Sequence, residues 1–394
     1  MVFNLFRSAD REVPQAKASA TGRVAAMGAM GNGGRVAWTP RDTASLTRNG
    51  FAGNPVGFRA VKMVAEAAAA LPLMCQDRKR RYDLHPVLSL LDKPNAGQGR
   101  GALFEALYAQ LLLTGDGYLE AVGSEAGLPG EIHCLRSDRM RVVPGADGWP
   151  AAYDYVVGAK THRFDVSGAQ ATILHIKSFH PQDDHYGLSP MQAAASAMDV
   201  HNAATRWSKA LLDNAARPSG AIVYSGADGA GGLSPDQFER LQVEMESYHQ
   251  GARNAGRPML LEGGLDWKPM GFSPSDMEFQ KTKEAAAREI ALAFGVPPML
   301  MGIPGDATYA NYAEAHRAFY RLTVLPLARK VCQALSVWMD GFDPGGVWLS
   351  PDPDGVPALA AERDALWARV GAAEFLSRAE KRSLLGLPAE DGTA

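Results

Sequence analysis

The hydrophobic and polar positions of residues 273–341 predict two long helices joined by a loop. On the first helix, apolar residues recur on one face and charged residues recur at helical spacing on another. The apolar residues are Phe279, Ala286, Ile290 and Ala293, and the charged residues are Lys281, Glu284 and Arg288. Ser273 can cap this helix, while Gly295 and the two prolines after it forbid its continuation. The sequence therefore predicts a two-faced helix at 273–295.

A short segment rich in glycine and proline separates the two helices. It comprises Met301, Gly302, Ile303, Pro304, Gly305, Asp306, Ala307 and Thr308. Its two glycines permit unusual backbone angles and its proline limits collapse, so we expect the segment to project from the helix junction. The second helix follows at 309–341, and Pro326 is predicted to kink it.

Helical and strand-like patterns are mixed over residues 54–188. Helices are predicted from Asn54 to Leu71 and from Leu103 to Leu113, and a hairpin is predicted from Leu73 to Tyr82. Short strands between glycine and proline turns are predicted at Tyr118–Val122, Ile132–Leu135, Met140–Val143, Tyr153–Val157 and Thr172–Ile176. This mixture predicts the α+β fold class. Residues 1–53, rich in glycine, alanine, serine and arginine, are interpreted as a flexible arm.

A small module separates two helices between residues 189 and 295. Ser189-Pro190-Met191-Gln192 is a capping box that opens a helix predicted at 189–217. Residues 218–272 combine strand-like segments, glycine turns and a charged helix, before the helix at 273–295. The charged helix carries Gln237, Arg240, Glu244 and His249, which have little reason to be buried. The pattern predicts a helical hairpin that carries a small α/β head.

The composition limits the classes of function that the chain can serve. Its 394 residues carry a formal net charge of −3, which argues against a protein whose main task is to grip nucleic acid tightly, since that requires a basic surface. Weak or sliding contact with DNA is compatible with this charge. The three cysteines, Cys75, Cys134 and Cys332, lack metal-ligand spacing. No apolar run is long enough to cross a bilayer, and the first residues do not form a secretory signal.

Three patterns suggest chemistry, and each also has a structural interpretation that we favour. His180, Asp183, Asp184 and His185 form a metal-like cluster, but adjacent acids near a proline suit a polar loop. The glycines at 28–34 suggest a phosphate cradle, yet no strand precedes them. Gly187-Leu188-Ser189-Pro190-Met191 lacks the second glycine of a nucleophile elbow, which leaves a serine hydrolase as a weaker alternative. The sequence therefore predicts no enzyme, no metal site and no cofactor.

Several motifs occur in an order and at spacings that are typical of one protein family. They are His85-Pro86, Leu111-Leu112-Leu113-Thr114-Gly115-Asp116-Gly117-Tyr118, His175-Ile176-Lys177, Gly187-Leu188-Ser189-Pro190, Arg217-Pro218-Ser219-Gly220 and Phe294-Gly295-Val296-Pro297-Pro298. With these motifs the chain resembles tailed-phage portal proteins of the HK97 family over residues 54–391, and among them the portals of bacterial gene transfer agents. It departs from the family at Ala379, where the family usually has Asn.

The resemblance implies a ring of twelve subunits at one capsid vertex, through which a terminase motor drives double-stranded DNA without sequence preference. It implies a wing at 54–188, stem helices at 189–217 and 273–295, a clip at 218–272, a tunnel loop at 296–308, a kinked wing helix at 309–341 and a crown at 342–394. In this scheme Lys281, Glu284 and Arg288 face the channel, together with a tunnel loop that contains Met301–Thr308.

The resemblance also implies a set of partners. The clip residues Gln237, Arg240, Glu244 and His249 would dock the terminase large subunit and a neck or adaptor protein. The major capsid protein is a further expected partner, and a membrane is not. We expect the ring to assemble in the bacterial cytoplasm and to leave within a virion or a gene-transfer-agent particle.

A non-portal oligomeric scaffold remains open from the residues alone, because mixed α/β modules with two-faced helices also build ordinary oligomers. The apolar stripes of the two stem helices exceed what one short hairpin can cover. This excess predicts burial against neighbouring copies in a closed ring.

Overall fold

A computed structural model describes residues 38–77, 80–123, 127–166, 171–213, 220–224, 236, 239–240, 265–269, 274–304 and 309–387. The chain divides into two compact units. One unit comprises Met1–Asp199 and Arg288–Ala394, and the other comprises Val200–Ala287. Helices and small antiparallel sheets make up the described parts, which confirms the α+β fold class. The finer division into wing, stem, clip and crown stays a prediction.

The α-helices begin at residues that suit helix starts. Asn54 Oδ1 accepts hydrogen bonds from the amides of Val56 and Gly57, each at 3.0 Å, and Pro55 occupies the first turn. The helices in chain order are α1 (Thr43–Leu46), α2 (Pro55–Ala69), α3 (Pro86–Asp92), α4 (Arg100–Thr114), α5 (Pro190–Ala193), α6 (Ala195–Asp213), α7 (Pro274–Ala293), α8 (Tyr309–Phe319), α9 (Leu325–Asp340), α10 (Ala360–Ala372) and α11 (Arg378–Leu384). The predicted start at Asn54 is confirmed.

The strands form small antiparallel sheets. The strands in chain order are β1 (Leu73–Gln76), β2 (Arg81–Tyr82), β3 (Asp116–Val122), β4 (Glu131–Leu135), β5 (Met140–Pro144), β6 (Pro150–Val157), β7 (Lys160–Asp165), β8 (Ile173–Lys177), β9 (Gly220–Tyr224), β10 (Leu265–Pro269) and β11 (Trp348–Pro351). Their spatial orders are β11-β1-β2, β4-β3-β8, β5-β6-β7 and β10-β9. The last pair belongs to the smaller unit.

Helices α2, α4 and α9 supply the centre of the main core. The buried residues of α2 recur every three or four positions, as Val61, Val64, Ala65 and Ala68 do. Leu107 of α4 and Leu335 of α9 are fully buried in the same cluster. Burying each of the larger side chains contributes about 1.5 to 3 kcal/mol relative to leaving it in water. The core therefore unites residues 54–69 with the helix at 325–340.

A second, smaller core lies between the sheets β4-β3-β8 and β5-β6-β7. Tyr118, Met140, Tyr153 and Ile173 form its buried cluster. The ring of His175 stacks on Tyr118 with a centroid distance of 4.2 Å, and its Nε2 lies 2.9 Å from Asp116 Oδ1. Burial raises the pKa of Tyr118 far above its usual value. Tyr153 of the other sheet contacts the rings of Tyr118 and His175 edge-to-face, so aromatic side chains join the two sheets.

Residues 38–53 correct the predicted extent of the N-terminal arm. They pack on the larger unit, because the Thr39 amide donates to Asp199 Oδ2 at 3.0 Å and Leu46 is buried. The side chain of Asp42 also caps α1 by accepting from the amide of Ser45. Residues 1–37 lie outside the described residues.

Three further differences from the predicted elements concern strands and helix continuity. Strand β7 was not predicted; it is mostly exposed and lacks apolar alternation. Strand β11 lies within the range assigned to the crown, yet it pairs with β1. The helix predicted at 189–217 is interrupted at Ala194, which ends α5 before α6 begins. The predicted hairpin at 73–82 is confirmed by the pairing of β1 with β2.

Two glycines approach each other closely where β3 begins. Gly115 has a φ of +86°, and a Cβ atom at Gly187 would overlap the carbonyl oxygen of Gly115. Ser178 donates its amide to that same carbonyl oxygen at 2.7 Å. The backbone at this point therefore leaves no room for a side chain at Gly187.

We expect Gly187→Ala to lower the free energy of unfolding by about 1 to 3 kcal/mol, because the added methyl group forces the backbones apart. Denaturant titration of the purified chain measures the change. Gly101→Ala is the matched control, since no atom lies within 4 Å of its Cβ position in the first turn of α4. Equal stability of the two variants would contradict the assigned close contact.

Candidate functional site

Helix α7 presents charged residues on a surface opposite its buried residues. Ala286, Ala287 and Ile290 are buried, while Lys281 and Arg288 are exposed and Glu284 is half-buried. Gln280 Nε2 donates to Glu284 Oε1 at 2.9 Å across one turn. The charged stripe predicted from the sequence is thus available for contact with solvent or a partner, and its channel-facing role stays a prediction.

The end of α7 has the geometry that the sequence predicted. Gly295 has a φ of +65°, and the amide of Val296 donates to the carbonyl of Ala291 at 2.9 Å. Thr323 Oγ1 donates to the Gly295 carbonyl at 2.6 Å, so the helix end is also held by the segment before α9. These bonds position the chain as it leaves α7.

The predicted tunnel loop begins as ordered structure. Pro298–Met301 is a 3₁₀ helix, and Leu300 is buried. Gly302 follows with a φ of +73°, and the amide of Ile303 donates to the Pro298 carbonyl at 3.1 Å. Met301 therefore belongs to a helical turn, while Gly305, Asp306, Ala307 and Thr308 lie outside the described residues.

Arg288 connects α7 to this loop. Its Nη2 donates to the carbonyl oxygen of Pro304. A guanidinium group forms a stronger hydrogen bond to a carbonyl than a neutral donor does, although exposure to solvent reduces the benefit. The geometry gives Arg288 a positioning role in addition to the surface charge predicted for it.

The helix after the loop changes its hydrogen-bonding pattern part-way. α8 ends at Phe319, Tyr320–Val324 is a π-helical segment, and α9 begins at Leu325. The irregular turn lies just before Pro326, where the sequence predicted a kink. Three rings contact each other at one-turn spacing: on α8, Tyr312 stacks on His316 at 6.1 Å, and His316 meets Tyr320 of the π segment at 5.6 Å.

Within the smaller unit, side chains of α6 and α7 contact each other. Trp207 stacks on Phe279 with a centroid distance of 4.2 Å and an interplanar angle of 20°. His201 is buried, and burial together with the nearby charge of Lys283 lowers its pKa. This ring contact supports a pairing of α6 with α7, while the assignment of the two helices to a stem stays a prediction.

The metal-like and hydrolase-like patterns serve local structure. Asp183 Oδ1 accepts the amides of His185 and Tyr186, which closes a turn, and His180 Nδ1 accepts the amide of Gln182. In the described part of the chain, no three His, Cys, Asp or Glu residues are placed to hold a metal ion. Ser189 is buried and caps α5 by accepting the Gln192 amide at 3.0 Å. Among the described ranges, no helix has the length and apolar character needed to cross a membrane.

The predicted docking residues lie only partly within the described residues. Arg240 is helical and exposed, as are Asp236 and Glu239. Gln237, Glu244 and His249 lie outside the described residues. The docking role of this helix stays a prediction.

A comparison with protein families covers most of the chain. The model of the family described as "Phage portal protein" matches residues 55–386. The chain belongs to the phage portal protein family. The resemblance inferred from its motifs is thereby confirmed.

Solved structures and a phage relative agree with the portal assignment. A chain in the "Neck of empty GTA particle computed with C6 symmetry" is 73% identical, with a TM-score of 0.75, over 90% of this chain and 96% of that chain. A chain in the "Neck of native GTA particle computed with C12 symmetry" is 72% identical, with a TM-score of 0.73, over 90% of this chain and 96% of that chain. The portal protein of Enterobacteria phage HK97 is 27% identical, over 78% of this chain and 69% of its own length.

Membership of the portal family establishes the broad function. The chain is a portal protein of a capsid vertex, and its role as a DNA conduit follows from the family. Portal proteins are structural, so the prediction that the chain is not an enzyme is confirmed on this ground. Its predicted location in a virion or gene-transfer-agent particle is confirmed as well.

Sequence reasoning missed the contacts that hold the loop. Arg288 was assigned by its helical face, and its bond to the Pro304 carbonyl depends on where the loop returns. The contact of Thr323 with Gly295 had no signal in the sequence. The ring contacts of Tyr312, His316 and Tyr320 could have been found, because residues four apart on a helix are neighbours.

We expect Arg288→Met to raise the exchange rate of the Ile303 amide hydrogen about three- to tenfold, because the loop loses its link to α7. Hydrogen–deuterium exchange of the portal protein measures this rate. Lys281→Met is the control, since it removes a charge from the exposed surface of the same helix about two turns earlier. If both substitutions leave the Ile303 rate unchanged, Arg288 does not position the loop.

Proposed function

We propose that copies of this portal protein form a closed ring of twelve, through which a motor drives double-stranded DNA into the particle. The observation that carries the proposal is the 72% identity to a chain in a particle neck computed with C12 symmetry, over 90% of the sequence. Cyclic symmetry joins each copy to the next through two different surfaces. Such a ring has a central passage, which suits a conduit.

The charge distribution supports sliding rather than tight binding. Each neutralised phosphate releases counterions and adds to affinity, so a passage with many basic contacts would slow the DNA. The exposed stripe of α7 contains both signs of charge, in Lys281, Glu284 and Arg288, and the net charge of the chain is −3. Contacts of this kind touch the DNA backbone, which carries no sequence information directly. We therefore infer passage of DNA without sequence preference.

The loop that contains Met301–Thr308 is proposed to project into the passage. It leaves a defined base, because the 3₁₀ helix Pro298–Met301 packs on the core and Arg288 holds the carbonyl of Pro304. Asp306 of twelve copies would then form a ring of like charges, which repels phosphates and keeps DNA from adhering.

The head at 218–272 is proposed to dock the terminase large subunit and a neck or adaptor protein. It belongs to the separate compact unit Val200–Ala287, and the described residue Arg240 is exposed on a helix. Gln237, Glu244 and His249 lie in the same charged helix predicted from the sequence, and Gln237 and Glu244 are three and four positions from Arg240. The major capsid protein is proposed to contact the larger unit.

Reversing two charges in residues 218–272 tests whether this segment docks partner proteins without affecting ring assembly. We expect Arg240→Glu combined with Glu244→Lys to weaken the capture of terminase or neck proteins about tenfold, since reversed charges repel the partner surface. Light scattering should still give the mass of a closed ring. Unchanged capture in a pull-down would remove these residues from the docking surface. A mass that stays monomeric for the unaltered chain would contradict the ring itself.

Deletion of residues 302–306 tests the loop. We expect the deleted chain to form rings of normal mass, because the deletion spares Leu300 and the helices on both sides. We expect less nuclease-protected DNA per particle, because the passage loses its loop. Asp306→Asn is the matched control that keeps the backbone and removes only the charge. Normal packaging and retention of DNA by the deleted chain would exclude the channel role of this loop.

A further inference from the structure

A groove runs between helix α9 and strand β11. One side of the groove is lined by three α9 residues spaced one turn apart, Arg329, Gln333 and Val337. The other side is lined by Trp348 and Ser350 of β11. The cavity has a volume of about 440 Å³. Val337 is 79% exposed and Trp348 is 37% exposed, although both are large apolar side chains. We name this feature the α9–β11 groove.

The sheet face beside the α9–β11 groove has unmet hydrogen bonds. Ser350 and Trp348 share one face of the sheet with Gln76, because Gln76 lies opposite Trp348 and side chains alternate along a strand. Ser350 Oγ and Gln76 Oε1 are shielded from solvent, yet neither has a hydrogen-bond partner among the described residues. Such groups are uncommon in complete structures. A neighbouring chain that brings a hydrogen-bond donor to this face would therefore be favourable here.

The occupant can be argued from the ring, on which this inference depends. A cyclic ring joins unlike surfaces, so a groove on one copy requires a projecting group on the next. Phe375 is 87% exposed in the turn between α10 and α11. The turn is held in place, because Ser377 and Glu380 form a reciprocal capping box directly after it. Phe375 is thus a rigidly presented apolar side chain without cover.

The charges beside the two surfaces are complementary. Arg329 lies at the α9–β11 groove, and Glu374 immediately precedes Phe375. Both residues are exposed, and neither forms an ion pair within the described parts of the chain. Opposite charges across an interface fix its register more than they raise its affinity.

We propose that the α9–β11 groove is an intersubunit site that receives Phe375 of the neighbouring copy, with Glu374 of that copy facing Arg329. The phenyl ring would cover Val337 and Trp348, which a single chain leaves exposed. Each copy would supply one groove and one Phe375, as a closed head-to-tail ring requires.

Cross-linking of the full chain tests the proposed contact. In the variant Val337→Cys with Phe375→Cys, a short bifunctional maleimide should join each copy to the next and give a ladder of covalent oligomers on a denaturing gel. The native thiols should react slowly, because burial raises the pKa of Cys75 to about 11 and those of Cys134 and Cys332 to about 12. Val337→Cys with Leu84→Cys is the matched control, since Leu84 is 89% exposed at another surface.

A charge exchange provides a second, independent measurement. Arg329→Glu should raise the protein concentration needed for half-assembly about tenfold, because Glu374 then faces a like charge. Adding Glu374→Arg should restore assembly close to the original concentration. If Arg329 and Glu374 did not face each other across the subunit contact, adding Glu374→Arg to Arg329→Glu would not restore assembly.

The outcomes separate this proposal from the proposed function. Rings of normal mass without a ladder from the Val337–Phe375 pair would overturn the groove contact and leave the portal ring intact. A ladder from the Val337–Leu84 pair alone would also overturn it. Failure of the unaltered chain to form any ring would overturn both. A ladder confined to the Val337–Phe375 pair, with restoration by Glu374→Arg, is the expected result.

Discussion

The start of helix α5 depends on a buried carboxyl group, that of Asp116. Its Oδ1 accepts the Gly187 amide at 2.9 Å and lies 2.9 Å from His175 Nε2, with the His175 and Asp116 side chains 7% and 6% exposed. A polar group removed from water needs such partners, because leaving it unpaired costs several kcal/mol. Gly187 lies two residues before Ser189, which caps α5. One hydrogen-bonded acid thus helps to fix where the chain leaves the sheet β4-β3-β8 and approaches α5.

The features that could be predicted from the sequence depend on residues a few positions apart. Two helices begin at caps that the sequence shows, Asn54 before α2 and Ser189 before α5. Helix α7 ends at the left-handed Gly295, which the sequence also shows. Strand β11 could not be found in this way, because its partner β1 is distant in the chain and Leu73 pairs with Pro351. The arm was extended too far, since the anchoring of Thr39 depends on Asp199, which only the folded chain brings near.

The candidate site shows the same division between local and distant causes. Helical spacing placed Lys281, Glu284 and Arg288 on one charged stripe, and the motif order identified the portal family. Neither could show that Arg288 holds the loop, because that bond joins the helix to a carbonyl group sixteen residues later, beyond the 3₁₀ helix. Arg288 therefore has two parts in this chain: it lies on the exposed charged stripe of α7, and it holds the backbone of the following loop.

The π-helical segment Tyr320–Val324 divides one long helix into two parts that differ in phase. A π turn accommodates an extra residue, and each residue of an α-helix corresponds to a rotation of about 100°. One extra residue therefore changes by about 100° the face on which every later residue lies, compared with an uninterrupted α-helix. The wide turn thereby brings the buried Val331 after it towards the side of the buried Phe319 before it, so the helical segments on both sides reach the same core.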